Sequence, residues 1–211
     1  MTDEFKTPQE EFWAGEFGDE YINRNQGKYV LAANLEFFSK ALAKAAKMQS
    51  CIEFGANIGN NLQALKILYP DLKQFAIEIN PSAVNELRKF MPETNVFQTS
   101  ILDFEPSIVA GGCDVAIIKG VLIHINPEFL ATVYKKLYSV AKRYILVCEY
   151  YNPTPITVNY RGHTERLFKR DFAGEMMDLF PDLELLDYGF SYHRDRNFPQ
   201  DDITWFLMEK R

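Results

Sequence analysis

Five short apolar segments alternate with helical segments along the chain, and two extended segments follow with no helix between them. The apolar segments are predicted strands at 51–54, 74–79, 95–99, 114–118 and 144–149. Residues 115–118 are uninterrupted Val, Ala and Ile, which is typical of a strand buried on both faces of a parallel sheet. The last two segments, 183–192 and 203–210, are predicted to pair as an antiparallel hairpin.

The predicted helices have recognisable ends. Asn80-Pro81 and Asn126-Pro127 each combine an N-cap residue with proline at the first helical position. Predicted helices cover 61–69, 80–90, 126–140 and 170–180, and an apolar stripe of helical spacing runs from Val30 to Leu42. The order of elements predicts an α/β fold with an open, mostly parallel seven-stranded sheet and a C-terminal antiparallel hairpin.

The chain length of 211 residues suits a single domain. We expect residues 1–45 to form an N-terminal helical cap and residues 46–211 to form the α/β core. Ligands of such sheets bind at the carboxyl ends of the parallel strands. The cap is expected to lie over that edge.

The charge and the cysteine pattern argue against several classes of function. Lys and Arg number 23 against 29 Asp and Glu, a formal net charge of −6, which argues against nucleic acid as a partner because such surfaces are usually basic. The start of the chain carries no secretory pattern, and no segment is apolar for the length of a membrane span. Three widely spaced cysteines beside predicted strands indicate buried thiols and a cytoplasmic location. Three scattered histidines predict no metal site, and the oligomeric state is left open.

A glycine-bearing loop follows the first predicted strand. Residues 53–59 read Glu-Phe-Gly-Ala-Asn-Ile-Gly, and Glu78 ends the next strand about 20 residues later. Glycine permits a tight turn with close approach of a ligand, and a carboxylate at the second position can accept hydrogen bonds from ribose hydroxyls. Because Asn57 stands where a dinucleotide fingerprint has its second glycine, the loop favours a single adenosine over a pyrophosphate. An NAD-dependent reductase is the weakest alternative.

These segments together resemble the class I S-adenosylmethionine-dependent methyltransferases. The family's first motif is similar to 53–59, its ribose-binding acid to Glu78, its adenine loop to 99–103 and its fourth motif to 114–124. Many relatives carry Asp where this chain has Ser100, and Asp103 or the backbone at Ile101 is the alternative contact for the adenine amino group. The resemblance implies a Rossmann-like class I methyltransferase fold and S-adenosylmethionine as cofactor.

The resemblance also implies a set of cofactor-binding residues, in which Arg24 pairs with the methionine carboxylate of the donor. The set comprises Tyr21, Arg24, Glu53, Gly55, Asn57, Gly59, Glu78, Ile79, Ser100, Ile101 and Lys119. Six stretches are further similar to the methylases associated with pseudaminic acid biosynthesis: 12–25, 118–127, 149–153, 160–163, 169–175 and 201–202. This narrower resemblance implies a small anionic acceptor, a nonulosonic acid or its nucleotide-activated form, in the synthesis of a surface glycan.

Two histidines are candidates for a catalytic base. His124 follows the fourth strand at the edge where the methyl group should lie, and His163 lies in a basic stretch after the fifth strand. The alternative for His124 is that its ring bonds a backbone group beside Asn126. Methyl transfer relies mainly on positioning, so the loss of a base would slow the reaction without abolishing it.

The segment after the fifth strand is the candidate acceptor site. Its predicted substrate-binding residues are Tyr151, Asn152, Tyr160, Arg161, Arg166 and Arg170. Arginine side chains suit a carboxylate or phosphate, and the alternative is a helix with a solvated basic face. The segment after the fourth strand, 119–121, lacks the N/D-P-P-Y motif of amide and adenine methylation, which favours O-methylation.

Two other functions stay open on the sequence. A tRNA or protein methyltransferase would have the same donor site, although the charge of −6 opposes a large RNA footprint. A donor-binding protein without turnover, acting as a partner or regulator, is the alternative outside enzymes.

Overall fold

The computed structural model describes residues 5–24, 28–160 and 162–211. Arg161 lies outside the described residues, and so do the side chains of Arg24 and His163. The helices are α1 Pro8–Ala14, α2 Glu16–Arg24, α3 Lys28–Ala41, α4 Asn60–Leu68, α5 Pro81–Leu87, α6 Leu130–Val140 and α7 Phe172–Leu179. Within the described part of the chain, no helix is long and apolar enough to cross a membrane.

Within the described residues, nine strands form two sheets. They are β1 Ser50–Phe54, β2 Lys73–Glu78, β3 Val96–Gln98, β4 Cys113–Lys119, β5 Ala141–Glu149, β6 Ile156–Tyr160, β7 His163–Lys169, β8 Leu183–Ser191 and β9 Ile203–Lys210. The larger sheet has the order β3-β2-β1-β4-β5-β9-β8, in which the first five strands are parallel and β9 runs antiparallel to both neighbours. This confirms the predicted seven-stranded sheet with its C-terminal antiparallel hairpin.

The central strands are buried on both faces because helices cover each side of the sheet. One face packs against α6 and α7 through residues such as Leu137 and Met176, and the other packs against α3, α4 and α5 through residues such as Phe37 and Leu65. Successive side chains of each strand point alternately into the two cores, which accounts for the nearly continuous apolar sequence of β4. Cys51, Cys113 and Cys148 are buried free thiols, as the sequence predicted.

The N-terminal helices occupy two different places. Side chains of α1 and α2 reach the carboxyl edge of the sheet, where the side-chain amide of Asn80 donates to Asp19 Oδ1 at 3.1 Å. Helix α3 instead packs on the sheet face, since Phe37, Phe38 and Ala41 are fully buried in the core formed with α4. The first turns of α3 also line the cavity at that edge, through residues such as Val30 and Asn34.

Strands β6 and β7 form a hairpin that the sequence analysis did not predict. Strands β6 and β7 pair antiparallel in a sheet of their own, with an irregularity between Val158 and Tyr160. The alternative of a basic helix in this stretch is wrong. Leu167 and Phe168 are buried, and Gly162 at a φ of 86° permits the turn, so the segment folds back on itself as a hairpin.

Candidate active site

A cavity of about 820 Å³ opens at the carboxyl edge of the parallel strands. Residues that line it come from α1, α2, α3, the loops after β1, β2, β3 and β4, and the β8–β9 loop. Ten of the predicted site residues line it: Tyr21, Gly55, Asn57, Glu78, Ile79, Ser100, Ile101, Lys119, His124 and Tyr160. The structure therefore brings most of the predicted cofactor set to one place, and the individual roles of these residues stay predictions.

The loop after β1 uses its glycines for backbone geometry. Gly55 has a φ of 73°, and a Cβ there would lie 2.7 Å from Val121 Cγ2. Gly59 is the N-cap of α4 with a φ of 80°, and a Cβ there would lie 2.5 Å from the Phe90 ring. Gly59 lies beside the cavity wall and acts on the site by letting α4 begin close to β1.

Glu78 is held against this loop. Its Oε2 accepts a hydrogen bond from the Asn57 backbone N–H at 2.7 Å, and its Oε1 accepts one from the Asn80 N–H at 2.8 Å. Burial raises the pKa of Glu78, while these hydrogen bonds oppose the rise by stabilising the ionised form. The carboxylate is thus oriented by the backbone and retains acceptor capacity for a ligand's hydroxyl groups.

Glu53 lies beneath the loop rather than on the cavity surface. Its Oε1 accepts from the Asn61 side-chain amide at 2.6 Å, whereas Oε2 is buried without a hydrogen-bond partner among the described residues. Desolvation by burial raises the pKa of Glu53 to about 8. Asn57, at a φ of 47°, likewise has a buried Oδ1 with no partner in the described part of the chain. Asn57 lines the cavity and can therefore offer this acceptor to a ligand, whereas Glu53 lies behind the loop.

Ser100 shows a contact that sequence reasoning missed. Its hydroxyl is hydrogen-bonded to Glu10 Oε1 from α1 and accepts from the Leu102 backbone N–H at 3.0 Å. Glu10 is buried and lines the cavity beside Ser100 and Ile101. Asp103 instead forms an ion pair with Lys6 at the surface. A carboxylate is thus present near Ser100, but it comes from a segment 90 residues away in the chain.

The sequence around Glu10 predicts its role in starting helix α1 but not its contact with Ser100. Thr7-Pro-Gln-Glu10 is a capping box, in which Thr7 Oγ1 accepts from the Glu10 N–H at 3.2 Å and Glu10 Oε2 accepts from the Thr7 N–H at 2.8 Å. This pattern could have placed the start of α1. It could not have shown that the same carboxylate meets Ser100.

Lys119 ends β4 on the α3 side of the sheet. Its Nζ donates to Gln200 Oε1 at 3.2 Å and lies 5.2 Å from the centre of the Phe37 ring. Burial lowers the pKa of the Lys119 ammonium, and nearby groups led by Cys148 and Glu53 oppose that change. The Lys119 side chain therefore lies at the cavity wall.

His124 ends a short 3₁₀ turn, Leu122–His124, that follows β4. The ring Nδ1 lies 2.6 Å from the Arg166 carbonyl oxygen, and because a carbonyl can only accept, Nδ1 carries the proton and Nε2 is left as an acceptor. The ring packs between Trp13 and Tyr160, with centroids 4.7 and 5.1 Å away. Burial lowers the pKa of His124 to about 4, so the imidazole is neutral at pH 7.

Glu149 supports the turn that carries His124. Its Oε1 accepts hydrogen bonds from the backbone N–H groups of Val121 at 2.9 Å and Leu122 at 2.8 Å. The carboxyl is buried, which raises the pKa of Glu149 to about 7. This residue at the end of β5 was missed as part of the site, because its contact with the β4 loop depends on the pairing of β4 with β5.

The predicted acceptor-binding residues are mostly directed elsewhere. Arg170 forms an ion pair with Glu175 at 3.3 Å, and the Arg166 guanidinium lies 5.5 Å from the Phe12 ring centre, so neither lines the cavity. The predicted pair after β5 also lies outside it, since Tyr151 packs near Phe206 and the Asn152 side chain donates to Thr154.

Among the described residues, Tyr160 reaches the cavity from the hairpin and Arg196 reaches it from the β8–β9 loop. Arg196 is a cation on the cavity wall that the sequence analysis did not single out. His163 begins β7, and the positions of its side chain and of Arg161 and the Arg24 side chain fall outside what the structure describes.

Comparison with solved structures finds methyltransferases that share this architecture over nearly the whole chain. The magnesium protoporphyrin IX methyltransferase from Synechocystis PCC 6803, solved with bound SAM, has a TM-score of 0.68 at 12% identity, and all of both chains is covered. The plantazolicin methyltransferase in complex with SAH has a TM-score of 0.65 at 13% identity, covering 96% of this chain and 94% of that one. This chain has a Rossmann-like methyltransferase fold.

A further neighbour shows the same fold within a longer protein. The mitomycin 7-O-methyltransferase has a TM-score of 0.64 at 14% identity, covering 97% of this chain and 61% of that chain. No protein-family model matches the sequence, and no curated protein matches it. The likeness is therefore one of fold.

Proposed function

We propose that this protein is an S-adenosylmethionine-dependent methyltransferase that acts on a small molecule. The observation that carries the proposal is the Glu78 carboxylate, which bonds the Asn57 N–H in the glycine loop and borders the 820 Å³ cavity. A carboxylate in this position suits the two hydroxyls of a ribose. The shared fold with proteins solved with bound SAM or SAH supports the same cofactor.

The residues around the cavity fit such a donor. Asn57 lines the cavity, and its Oδ1 is a buried acceptor without a partner in the described part of the chain, which suits a ligand's hydroxyl or amino group. We assign the adenine to the Ser100–Ile101 segment, the ribose to Glu78, and the methionine part to the region of Gly55 and Lys119. Many relatives carry Asp at the position of Ser100. In this assignment Glu10 provides the corresponding carboxylate next to the adenine.

The donor supplies a methyl group that is already activated on a positively charged sulfur. The protein's contribution is to hold the acceptor in line and to exclude water, and positioning of this kind supplies about 7–11 kcal/mol. His124 takes part as a hydrogen-bond acceptor, since its neutral ring keeps Nε2 unprotonated. With a pKa of about 4 it is a weak base, so it orients the acceptor's hydroxyl and takes its proton only as the oxygen bonds the methyl carbon and the C–S bond of the donor breaks to leave S-adenosylhomocysteine.

For the acceptor, we propose O-methylation of a hydroxylated anionic metabolite, in the first place a nonulosonic acid or its nucleotide-activated form. The sequence resemblance supports this class, and Arg196 on the cavity wall can pair with a carboxylate or phosphate. Arg166 and Arg170 do not support it, because their side chains pack against Phe12 and Glu175.

The proposal is tested in two steps. Calorimetry with S-adenosylmethionine and S-adenosylhomocysteine should show micromolar binding, with no binding of NAD at the same concentrations. Incubation with isotopically labelled donor and a panel of free and activated nonulosonic acids, read by mass spectrometry, should then show one methylated product. Absence of donor binding contradicts the methyltransferase function, and donor binding without any product favours a non-catalytic donor-binding protein.

A further inference from the structure

We infer that Gln9 and His124 form a recognition site for neighbouring hydroxyl or amino groups of the methyl acceptor, built on two consecutive backbone carbonyls of β7. The inference rests on the proposed methyltransferase function, which places the acceptor beside His124. It names a chemical requirement of the acceptor, namely hydrogen-bond donors on adjacent atoms of a ring.

The two side chains are oriented by adjacent residues of β7. Gln9 Nε2 donates to the Glu165 carbonyl oxygen at 3.0 Å, and His124 Nδ1 donates to the Arg166 carbonyl oxygen at 2.6 Å. Because carbonyl oxygens only accept, both contacts require an N–H, which fixes the amide orientation and the ring tautomer. Gln9 Oε1 and His124 Nε2 are consequently left as acceptors.

Gln9 Oε1 is an unsatisfied group. It is buried and has no hydrogen-bond partner among the described residues, and only 7% of the Gln9 surface is exposed. Both Gln9 and His124 line the main cavity. A buried acceptor without a donor lowers stability, and a ligand O–H or N–H that reaches it removes this penalty.

The backbone of β7 is adapted to this arrangement. Successive carbonyls of a regular strand point to opposite sides, yet the carbonyls of Glu165 and Arg166 both bond side chains that line the same cavity. Glu165 has a φ of 55°, a conformation that a non-glycine residue rarely adopts, while its own side chain is exposed. The unusual conformation therefore serves the carbonyl rather than the side chain.

Aromatic rings form the walls of this part of the cavity. Trp13 lies one helical turn after Gln9 in α1, and its ring centre is 4.7 Å from that of His124. Tyr160 lies 5.1 Å from His124 on another side. Flat rings of phenols and the apolar faces of sugars both pack on such walls, so an aromatic diol and a sugar-like diol share the required chemistry.

The site also selects against charge at this point. Both acceptor atoms belong to neutral groups, and a carboxylate placed here would have no donor to bond. An anionic group of the acceptor must therefore bind elsewhere on the cavity wall, and Arg196 is positioned for it.

Trp13 can report binding directly. The chain has two tryptophans, and Trp205→Phe leaves Trp13 as the single tryptophan, which can be excited selectively. In this background, with saturating S-adenosylhomocysteine, we would titrate catechol against 1,2-dimethoxybenzene and cis-1,2-cyclohexanediol against its dimethyl ether. At least one diol should bind about fivefold more tightly than its ether, and the preferred pair tells an aromatic from a sugar-like acceptor. Equal affinity within both pairs overturns the inference.

Two sets of variants test the residues. Gln9→Met keeps the length of the side chain without the acceptor, and it should reduce the preference for the diol to less than twofold. Glu165→Gly retains the positive φ and should keep the preference, whereas Glu165→Val disfavours that conformation and should lose it. Should Gln9→Met fail to fold by circular dichroism, the Glu165 pair decides; a Glu165→Val protein that discriminates like Glu165→Gly overturns the inference.

Calorimetry with S-adenosylhomocysteine separates this inference from the proposed function. If the wild-type protein does not bind S-adenosylhomocysteine, the methyltransferase proposal fails. If it binds S-adenosylhomocysteine but does not distinguish diols from ethers, only the acceptor site assigned to Gln9 and His124 is overturned.

Discussion

The carboxylate of Glu78 and the backbone N–H of Asn57 are joined by a hydrogen bond of 2.7 Å. This contact links the end of β2 to the glycine loop after β1, two segments that are adjacent because their strands pair in parallel. The second carboxylate oxygen bonds the Asn80 N–H. The acid is therefore fixed by backbone donors before any ligand arrives, and its remaining lone pairs are the acceptors that we propose for the ribose hydroxyls.

Replacing Glu78 should weaken donor binding strongly. Hydrogen bonds to a charged group contribute about 1.5–3 kcal/mol, so Glu78→Ala should raise the Kd for S-adenosylhomocysteine about 100-fold. Glu78→Gln keeps one acceptor oxygen and should cost about tenfold. Calorimetry measures both, with Glu86→Ala on the exposed side of α5 as the control that leaves Kd unchanged. Wild-type affinity in Glu78→Ala would refute the ribose assignment.

Glu10 should determine the preference for adenine. Its carboxylate borders the cavity beside Ser100, where it can accept from the adenine amino group. Glu10→Gln preserves the capping box with Thr7 but replaces one oxygen by an amide nitrogen. We expect S-adenosylhomocysteine to bind about five- to tenfold more weakly, and S-inosylhomocysteine, with a carbonyl in place of the amino group, to lose no affinity. Glu11→Gln is the matched control, and equal losses for both ligands would contradict this role.

Substitution of His124 should affect turnover more than donor binding. His124→Phe retains a ring between Trp13 and Tyr160 but removes the Nε2 acceptor. Once an acceptor is identified, kcat should fall about 100-fold, near the lower end for loss of a base, with the Kd for S-adenosylhomocysteine within twofold of wild type. His193→Phe, at an exposed histidine bonded to Asp202, should leave kcat unchanged. A His124→Phe protein with wild-type kcat would remove His124 from the mechanism.

Glu53 should make stability depend on pH. Its pKa is raised from 4.5 to about 8 in the fold by burial, so the folded protein binds a proton more tightly than the unfolded chain does. The resulting stabilisation is complete below pH 4.5 and is lost as the pH rises toward 8.

Glu53→Gln lacks this titration. As the pH rises from 5 to 8, its free energy of unfolding should therefore increase relative to that of the wild type by on the order of 3 kcal/mol. Urea unfolding at several pH values measures the difference, with Glu86→Gln at the surface as the control. Parallel pH profiles of wild type and Glu53→Gln would show that the carboxyl is ionised throughout.

The helices and strands that the sequence predicted correctly are those whose formation depends on residues close together in the chain. The apolar runs of β1, β2, β4 and β5, the Asn-Pro starts of the helices at 80 and 126, and the C-terminal hairpin are all present. Helix α5 ends at Leu87 rather than near Phe90, and α6 begins at Leu130 after a 3₁₀ turn. Such shifts of a few residues are expected where helix ends fray.

The errors and omissions concern segments whose partners lie far away in the chain. The basic stretch around Arg166 and Arg170 carried the right residue types for an anion site, but these guanidinium groups face Phe12 and Glu175. The sequence around Gln9 and Glu10 indicates only the capped start of a helix. In the structure Gln9 bonds a backbone carbonyl of β7, and Glu10 bonds Ser100. Nothing in the neighbouring sequence encodes such contacts.

By itself the sequence determined the order of strands and helices, the parallel sheet with its hairpin edge, and the glycine turn with its acidic partner, because hydrophobic period, caps and glycine conformation act over a few residues. Only the tertiary structure decided that Glu10 joins Ser100, that Glu149 supports the His124 turn, and that β7 orients Gln9 and His124. Those contacts arise when packing of the whole sheet and its N-terminal helices brings distant segments together.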